Sequence, residues 1–135
     1  HLYIHSFPTR RSSDLNFFAE KSFKTKKDVI TEVREIMINT TEKSIIKTLL
    51  ALSRRSETCS KLWKIKVPVL ILVGEDDKIT PPETAQFMYE EIKGSVISVI
   101  KNAGHLSNLE NPDQFNAQLI KFLKNKIQWN YLQKN

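Results

Sequence analysis

Val69-Leu70-Ile71-Leu72-Val73-Gly74-Glu75-Asp76-Asp77-Lys78-Ile79-Thr80-Pro81-Pro82 is the stretch around which the chain is arranged. Five apolar residues run without a break and stop at Gly74. A continuous aliphatic run of this kind, closed by glycine, predicts a strand buried on both faces of a parallel sheet. Three acids follow, Glu75, Asp76 and Asp77. In open α/β sheets ligands bind just beyond the carboxyl ends of the strands, so these acids stand where chemistry is usually done. Twenty-eight residues after Asp77 comes Gly104-His105, just past a second apolar run, Val96 to Ile100.

Between the two runs lies a helix signal. Thr80-Pro81-Pro82-Glu83 reads as a capping box, with Thr80 as N-cap and Pro81 at the first helical position. The helix is expected to reach about Ile92, to bury Ala85, Met88 and Ile92, and to end at Lys93-Gly94. Strand, helix and strand then make a parallel βαβ unit. Downstream, Asn111-Pro112-Asp113-Gln114 repeats the capping logic, with Asn111 as the cap and Gln114 reaching back. Phe115, Leu119, Phe122 and Leu123 make the expected buried face of that last helix, and Lys124 and Lys126 suit its carboxyl end.

Upstream, Asn16 to Lys27 is polar apart from its phenylalanines and reads as a loop or the end of an element. Asp28 can cap a helix with Val29, Val33, Ile36 and Met37 on one face. Asn39 to Glu42 breaks it and caps another, which carries Ile45, Ile46, Leu49, Leu50 and Leu52. So wide an apolar stripe is expected to be covered by something large. Leu62, Trp63 and Ile65 form a short helical turn before Val67-Pro68, and proline suits the entry to a strand.

His105 is the only histidine after residue 5. Gly104 before it is expected to let the backbone turn sharply and carry the ring over the sheet edge. An imidazole ordinarily titrates near neutrality, which suits proton transfer. A carboxylate paired with such a base accepts the Nδ1 proton, fixes the tautomer and stabilises the imidazolium. Glu75, Asp76 and Asp77 are all candidates for that carboxylate. Taken alone, Gly-Glu-Asp-Asp would read as an acidic turn ending a strand.

The two motifs together decide the matter. From Val67 to Phe122 the chain resembles the carboxyl-terminal third of an α/β-hydrolase. That family's pattern is a proline, an apolar strand, Gly-x-x-Asp-x-x-Thr/Val-Pro, a helix, a strand, Gly-His and then Leu-Glu-x-Pro. The matching residues are Gly74 to Pro81, Gly104-His105 and Leu109-Glu110-Asn111-Pro112. The resemblance implies an α/β fold: the last two parallel strands of a doubly wound sheet with flanking helices, preceded by lid-type helices. It implies residues 16–65 as partial lid and connecting helices and residues 66–135 as part of the core. It also places Asp77 and His105 as the acid and base of a Ser-Asp-His triad. No Gly-x-Ser-x-Gly elbow occurs in the chain, and Ser95, Ser98 and Ser107 do not follow a strand on a glycine-flanked turn. The nucleophile and the oxyanion hole are therefore expected upstream, and the chain as given is expected to be inactive alone.

What the resemblance implies for the parent is a cytoplasmic hydrolase of small-molecule carboxylic esters or lactones, without metal or organic cofactor. C–C hydrolases, iminopeptidases, dehalogenases and cofactor-free haloperoxidases share both motifs, and fold-level analogy does not separate them. A ligand receptor or signalling protein on the same fold is the alternative from a different class.

The first fifteen residues read differently from the rest. His5-Ser6-Phe7-Pro8-Thr9-Arg10-Arg11-Ser12-Ser13-Asp14-Leu15 resembles the conceptual translation of a sequencing adapter, with Leu2-Tyr3-Ile4 as index codons. Residues 1–15 are therefore expected to be an artefact that packs against nothing, leaving about 120 residues, the size of one domain. The net charge is +6, and removing Arg10, Arg11 and Asp14 lowers it by one. The 16 lysines are scattered rather than patched, which points away from nucleic acid or an acidic membrane surface. One cysteine, Cys59, forms no internal disulfide and fits a reducing compartment. No apolar run approaches the length of a membrane span.

Overall fold

The computed structural model describes the backbone of residues 16–132 and the side chains of residues 16–125. The reading of residues 1–15 as an unpacked appendage falls outside the described residues. The elements are α1 (Ser22–Thr25), α2 (Lys27–Asn39), α3 (Glu42–Ser53), a 3₁₀ turn (Cys59–Lys64), β1 (Leu70–Gly74), α4 (Pro82–Glu91), β2 (Val96–Ile100), α5 (Ser107–Glu110) and α6 (Pro112–Leu132).

β1 and β2 pair in parallel, with Leu70 opposite Val96 and Gly74 opposite Ile100. The α4 crossover covers one face of the pair. Ile71 and Val73 of β1 pack with Ala85 of α4, flanked by Val69, Met88 and Ile97. Fully burying an aliphatic side chain of this size contributes about 1.5–3 kcal/mol. Ile92, at the end of α4, is buried as its place in the pattern demands. Gly94 takes φ +79°, the left-handed conformation that ends the helix.

The expectation of burial on both faces does not hold among the described residues. Leu70 and Leu72 are only half-buried, and Val96 and Val99 are exposed. The physical reason is that α4 covers one face and the described chain supplies little for the other. α3 shows the same condition. Thr41 caps it, accepting from the Ser44 amide, but Ile45, Ile46, Leu49, Leu50 and Leu52 all remain exposed. In α2 the buried residue is Ile30, whereas Ile36 is 62% exposed. That helix begins at Lys27 without a side-chain cap, and Asp28 lies inside its first turn.

α6 begins as expected. The Gln114 amide donates to Asn111 Oδ1 at 3.3 Å. The Gln114 side chain also reaches the end of β2, accepting from the Lys101 amide at 2.8 Å and donating to the Val99 carbonyl at 3.1 Å. The helix runs on to Leu132, well past Lys126. Of its expected buried face, Phe115 and Phe122 are half-buried, while Leu119 and Leu123 are exposed.

Candidate active site

The carboxyl ends of β1 and β2 lead into loops that are sewn together by their backbones. The Glu75 amide donates to the Ile100 carbonyl at 2.9 Å, and the Asp76 amide to Ala103 at 2.9 Å. This approach is possible because residue 74 is glycine: a Cβ there would lie 2.1 Å from the Gly104 carbonyl oxygen and 2.4 Å from that of Ala103. The two loops bring Asp77 and His105 face to face. His105 Nδ1 lies 3.0 Å from Asp77 Oδ2, with the carboxylate buried and the ring about one-third exposed.

Asp77 is held from several sides. The amides of Ile79 and Thr80 both donate to Oδ1 at 2.9 Å. The Thr80 hydroxyl donates to Oδ2 at 3.0 Å. Burial pushes the Asp77 carboxyl up, but donation from the Thr80 amide, the His105 ring, the Ile79 amide and the Thr80 hydroxyl together holds it below its ordinary value. The other two acids stand elsewhere. Asp76 is exposed, and the Glu75 carboxylate accepts from the Asn102 amide at 3.2 Å. Of the three, Asp77 alone meets the ring.

The His105 loop is fixed from its other side by the segment before α1. The His105 amide donates to the Phe17 carbonyl at 2.9 Å, and the Phe17 ring stands 5.9 Å from the imidazole, tilted by 51°. Gly104 does not supply the sharp turn expected of it, since among the described residues the left-handed ones are Asn102 and Gly94. Its service is close approach. A Cβ on Gly104 would lie 2.8 Å from the Ala19 nitrogen and the Phe18 carbonyl carbon.

Glu110 locks this junction. Its carboxylate, 3% exposed, accepts from the Ala19 amide at 2.7 Å, the Ser22 hydroxyl at 2.6 Å and the Gly104 amide at 2.7 Å. Three residues or segments thus matter here that sequence reasoning passed over. Thr80 was expected to cap α4, yet that helix starts at Pro82 without a side-chain cap. Its three-residue spacing from Asp77 was the available signal, because an aspartate bonds readily to nearby downstream backbone. Glu110 stood in the Leu-Glu-x-Pro motif without a role. Phe17 to Ser22 read as a loop and gave no signal.

An open cleft of about 390 Å³ runs along β1 past Asp77, Thr80, Thr84, His105 and Ser107. A second, of about 430 Å³, is lined by Glu20, Lys21, Lys24, Asp76 and Lys78 and does not include the Asp77–His105 pair. Among the described residues, the hydrogen-bond contacts of the imidazole are at Nδ1, and none is made by Nε2. No three His, Cys, Asp or Glu side chains among them are grouped to hold a metal ion. No helix among them is long and apolar enough to cross a membrane.

Residues 16–112 match the family described as serine aminopeptidase, S33. The chain belongs to this family of α/β-hydrolases. It is 32% identical over 81 residues to a pimeloyl-[acyl-carrier protein] methyl ester esterase of Neisseria meningitidis, covering 60% of this chain and 32% of that protein. It is 39% identical over 64 residues to 3-oxoadipate enol-lactonase 2 of Acinetobacter baylyi, covering 47% of this chain and 24% of that one. Among solved structures, a thermophilic esterase from Thermogutta terrifontis superposes with a TM-score of 0.83 at 26% identity, over 86% of this chain and 43% of its own. The chain thus spans a third or less of these two curated relatives and under half of the solved esterase.

Proposed function

We propose that the protein to which this chain belongs is a serine-type hydrolase of carboxylic esters or lactones, with His105 as its base and Asp77 as the acid that orients it. The observation carrying this reading is the 3.0 Å contact between Asp77 Oδ2 and His105 Nδ1. The esterase and lactonase relatives support the choice of substrate class. A serine from outside this chain's motifs attacks the carbonyl carbon as Nε2 takes its proton. Asp77 meanwhile stabilises the imidazolium through Nδ1–H. The tetrahedral adduct expels the alkoxide, which takes the proton from Nε2. Water, deprotonated by the same nitrogen, then attacks the acyl-enzyme; the second tetrahedral adduct expels the serine oxygen, which takes that proton back from Nε2, and the carboxylic acid is released. On this reading residues 16–65 are lid and connecting helices, residues 66–135 belong to the core, and the chain alone has no turnover. The single cysteine favours a reducing, cytoplasmic setting.

Peptide-bond hydrolysis is the second reading, favoured by the description of the matching family. The test joins this chain to the nucleophile-bearing part of its gene and compares a short-chain aryl ester, a lactone and an aminoacyl arylamide. Turnover of ester or lactone that His105→Ala abolishes supports the proposal. Turnover of the arylamide alone moves the assignment to an aminopeptidase. Turnover that survives His105→Ala overturns the mechanism.

A further inference from the structure

Thr80 stands where a helix cap is expected, yet its hydroxyl caps nothing; α4 is flanked by Pro81 and has no side-chain cap. The hydroxyl is turned back toward the Asp77–His105 pair. Thr80 Oγ1, Asp77 Oδ2 and His105 Nδ1 form a triangle with sides of 3.0, 3.0 and 3.3 Å. An ionised carboxylate only accepts. The Thr80 hydrogen therefore goes to Oδ2, and the hydroxyl lone pairs are left for the ring nitrogen. A protonated Nδ1 then meets two acceptors. An unprotonated Nδ1 would set its own lone pair against both, or draw the hydroxyl hydrogen away from Oδ2. The same residue secures the other carboxylate oxygen, since the Thr80 amide donates to Oδ1 at 2.9 Å.

We propose that Thr80 is a positioning residue, whose hydroxyl closes a three-membered ring with Asp77 and His105 and so holds the imidazole proton on Nδ1. A hydroxyl at position 80 thereby keeps Nε2 in its accepting form. The consequence for turnover rests on the hydrolase reading; the tautomer itself does not.

The test is long-range nitrogen NMR of the His105 ring in this chain joined to the nucleophile-bearing part of its gene, at a pH where the ring is neutral, with signals assigned against His105→Gln. The wild-type ring is expected to carry its proton on Nδ1. Thr80→Val keeps the shape and removes the hydroxyl. In that variant the Nδ1 and Nε2 shifts should converge as the other tautomer becomes populated, and Thr80→Ser should restore the wild-type pattern. If Thr80→Val loses its dispersed amide spectrum, Thr80→Ala is read the same way. A folded variant without the hydroxyl and with an unchanged tautomer overturns the proposal, as does a serine variant that fails to restore it. In the hydrolase completed with its nucleophile, Thr80→Val should lower kcat about two- to tenfold with little change in KM, the scale of one neutral hydrogen bond. If His105→Ala leaves turnover intact there, the hydrolase reading fails while the tautomer result stands. If His105→Ala is dead and the tautomer ignores Thr80, only the role of Thr80 fails.

Discussion

Asp77 Oδ2 and His105 Nδ1 lie 3.0 Å apart although 28 positions of sequence separate them. The distance is set by the sheet. β1 and β2 end level, with Gly74 opposite Ile100, so the loops leaving them start side by side. The amides of Glu75 and Asp76 then bond to the carbonyls of Ile100 and Ala103, which ties the two loops together.

From this pairing follows an order of severity among substitutions in the completed hydrolase. His105→Ala should lower kcat by several orders of magnitude. Asp77→Asn should cost on the order of 10⁴, as the comparable change does in a serine protease, because an amide can favour the wrong tautomer. Asp76→Asn should stay near wild type, since Asp76 is exposed. Steady-state hydrolysis of an aryl ester at pH 7–8 checks the order. A crippled Asp76→Asn beside an active Asp77→Asn would reverse the assignment of the acid.

The Asp77 carboxyl should titrate below its ordinary value, since the donors around it outweigh its burial. The sign for stability follows from that direction. A carboxyl with a lowered folded pKa contributes its stability above the unfolded value, roughly pH 3.9, and loses it as pH falls through the folded value. The stability difference between wild type and Asp77→Asn should therefore be flat above roughly pH 5 and shrink in acid. Carbon NMR of the Asp77 carboxyl measures the midpoint directly. A midpoint above the ordinary aspartate value would contradict the hydrogen-bond account.

Gly74→Ala and Gly94→Ala should differ for a stated reason. A Cβ on Gly74 runs into the carbonyls of Gly104 and Ala103, whereas one on Gly94 meets nothing within 4 Å and suffers only the positive φ of 79°. We expect Gly94→Ala to cost about 1 kcal/mol. Gly74→Ala should cost about 1–3 kcal/mol or more, because backbone must move. Urea midpoints of the two variants settle the ranking.

Glu110→Gln should loosen the junction between the Phe17–Ser22 segment and the His105 loop. The carboxylate takes three short hydrogen bonds while buried. An amide of the same shape must turn its NH₂ toward at least one of those donors. Leaving a buried donor unpaired costs about 1–3 kcal/mol, and more where a charge was involved. The measurement is amide hydrogen exchange at Ala19 and Gly104, which should accelerate together. Unchanged exchange at both would show that the junction is held by other contacts.

The chain by itself should bind a hydrophobic dye and self-associate. Ile46, Leu49 and Leu50 of α3 and Val96 and Val99 of β2 are exposed, as are Trp63 and Val67, and exposed apolar surface on this scale drives association. Ile46→Lys with Leu49→Lys should lower both signals. Light scattering and dye fluorescence check it. A monodisperse wild-type chain without dye binding would mean that this surface is covered.

Some of this molecule is settled by neighbours along the chain. An unbroken aliphatic run ending in glycine makes β1, and the Pro81-Pro82 and Gly94 punctuation brackets α4. Asn111 with Pro112 starts α6. These are short-range effects of backbone sterics and capping, so the sequence carries them openly. The two motifs also singled out Asp77 and His105, which the fold sets 3.0 Å apart, because residue type and spacing from a strand end survive without coordinates. What the sequence could not show is which groups lie across a gap of many residues. Thr80 reads as a cap until the fold sets His105 beside it at 3.3 Å. Gly104 reads as a turn until Ala19 is found against it. Glu110 acquires its partners only when residues 88 and 91 positions away in the chain arrive at its carboxylate. Burial failed for the same reason in the opposite direction. Periodicity shows which face of α3 or β2 is apolar, but only the packed structure decides whether anything covers it.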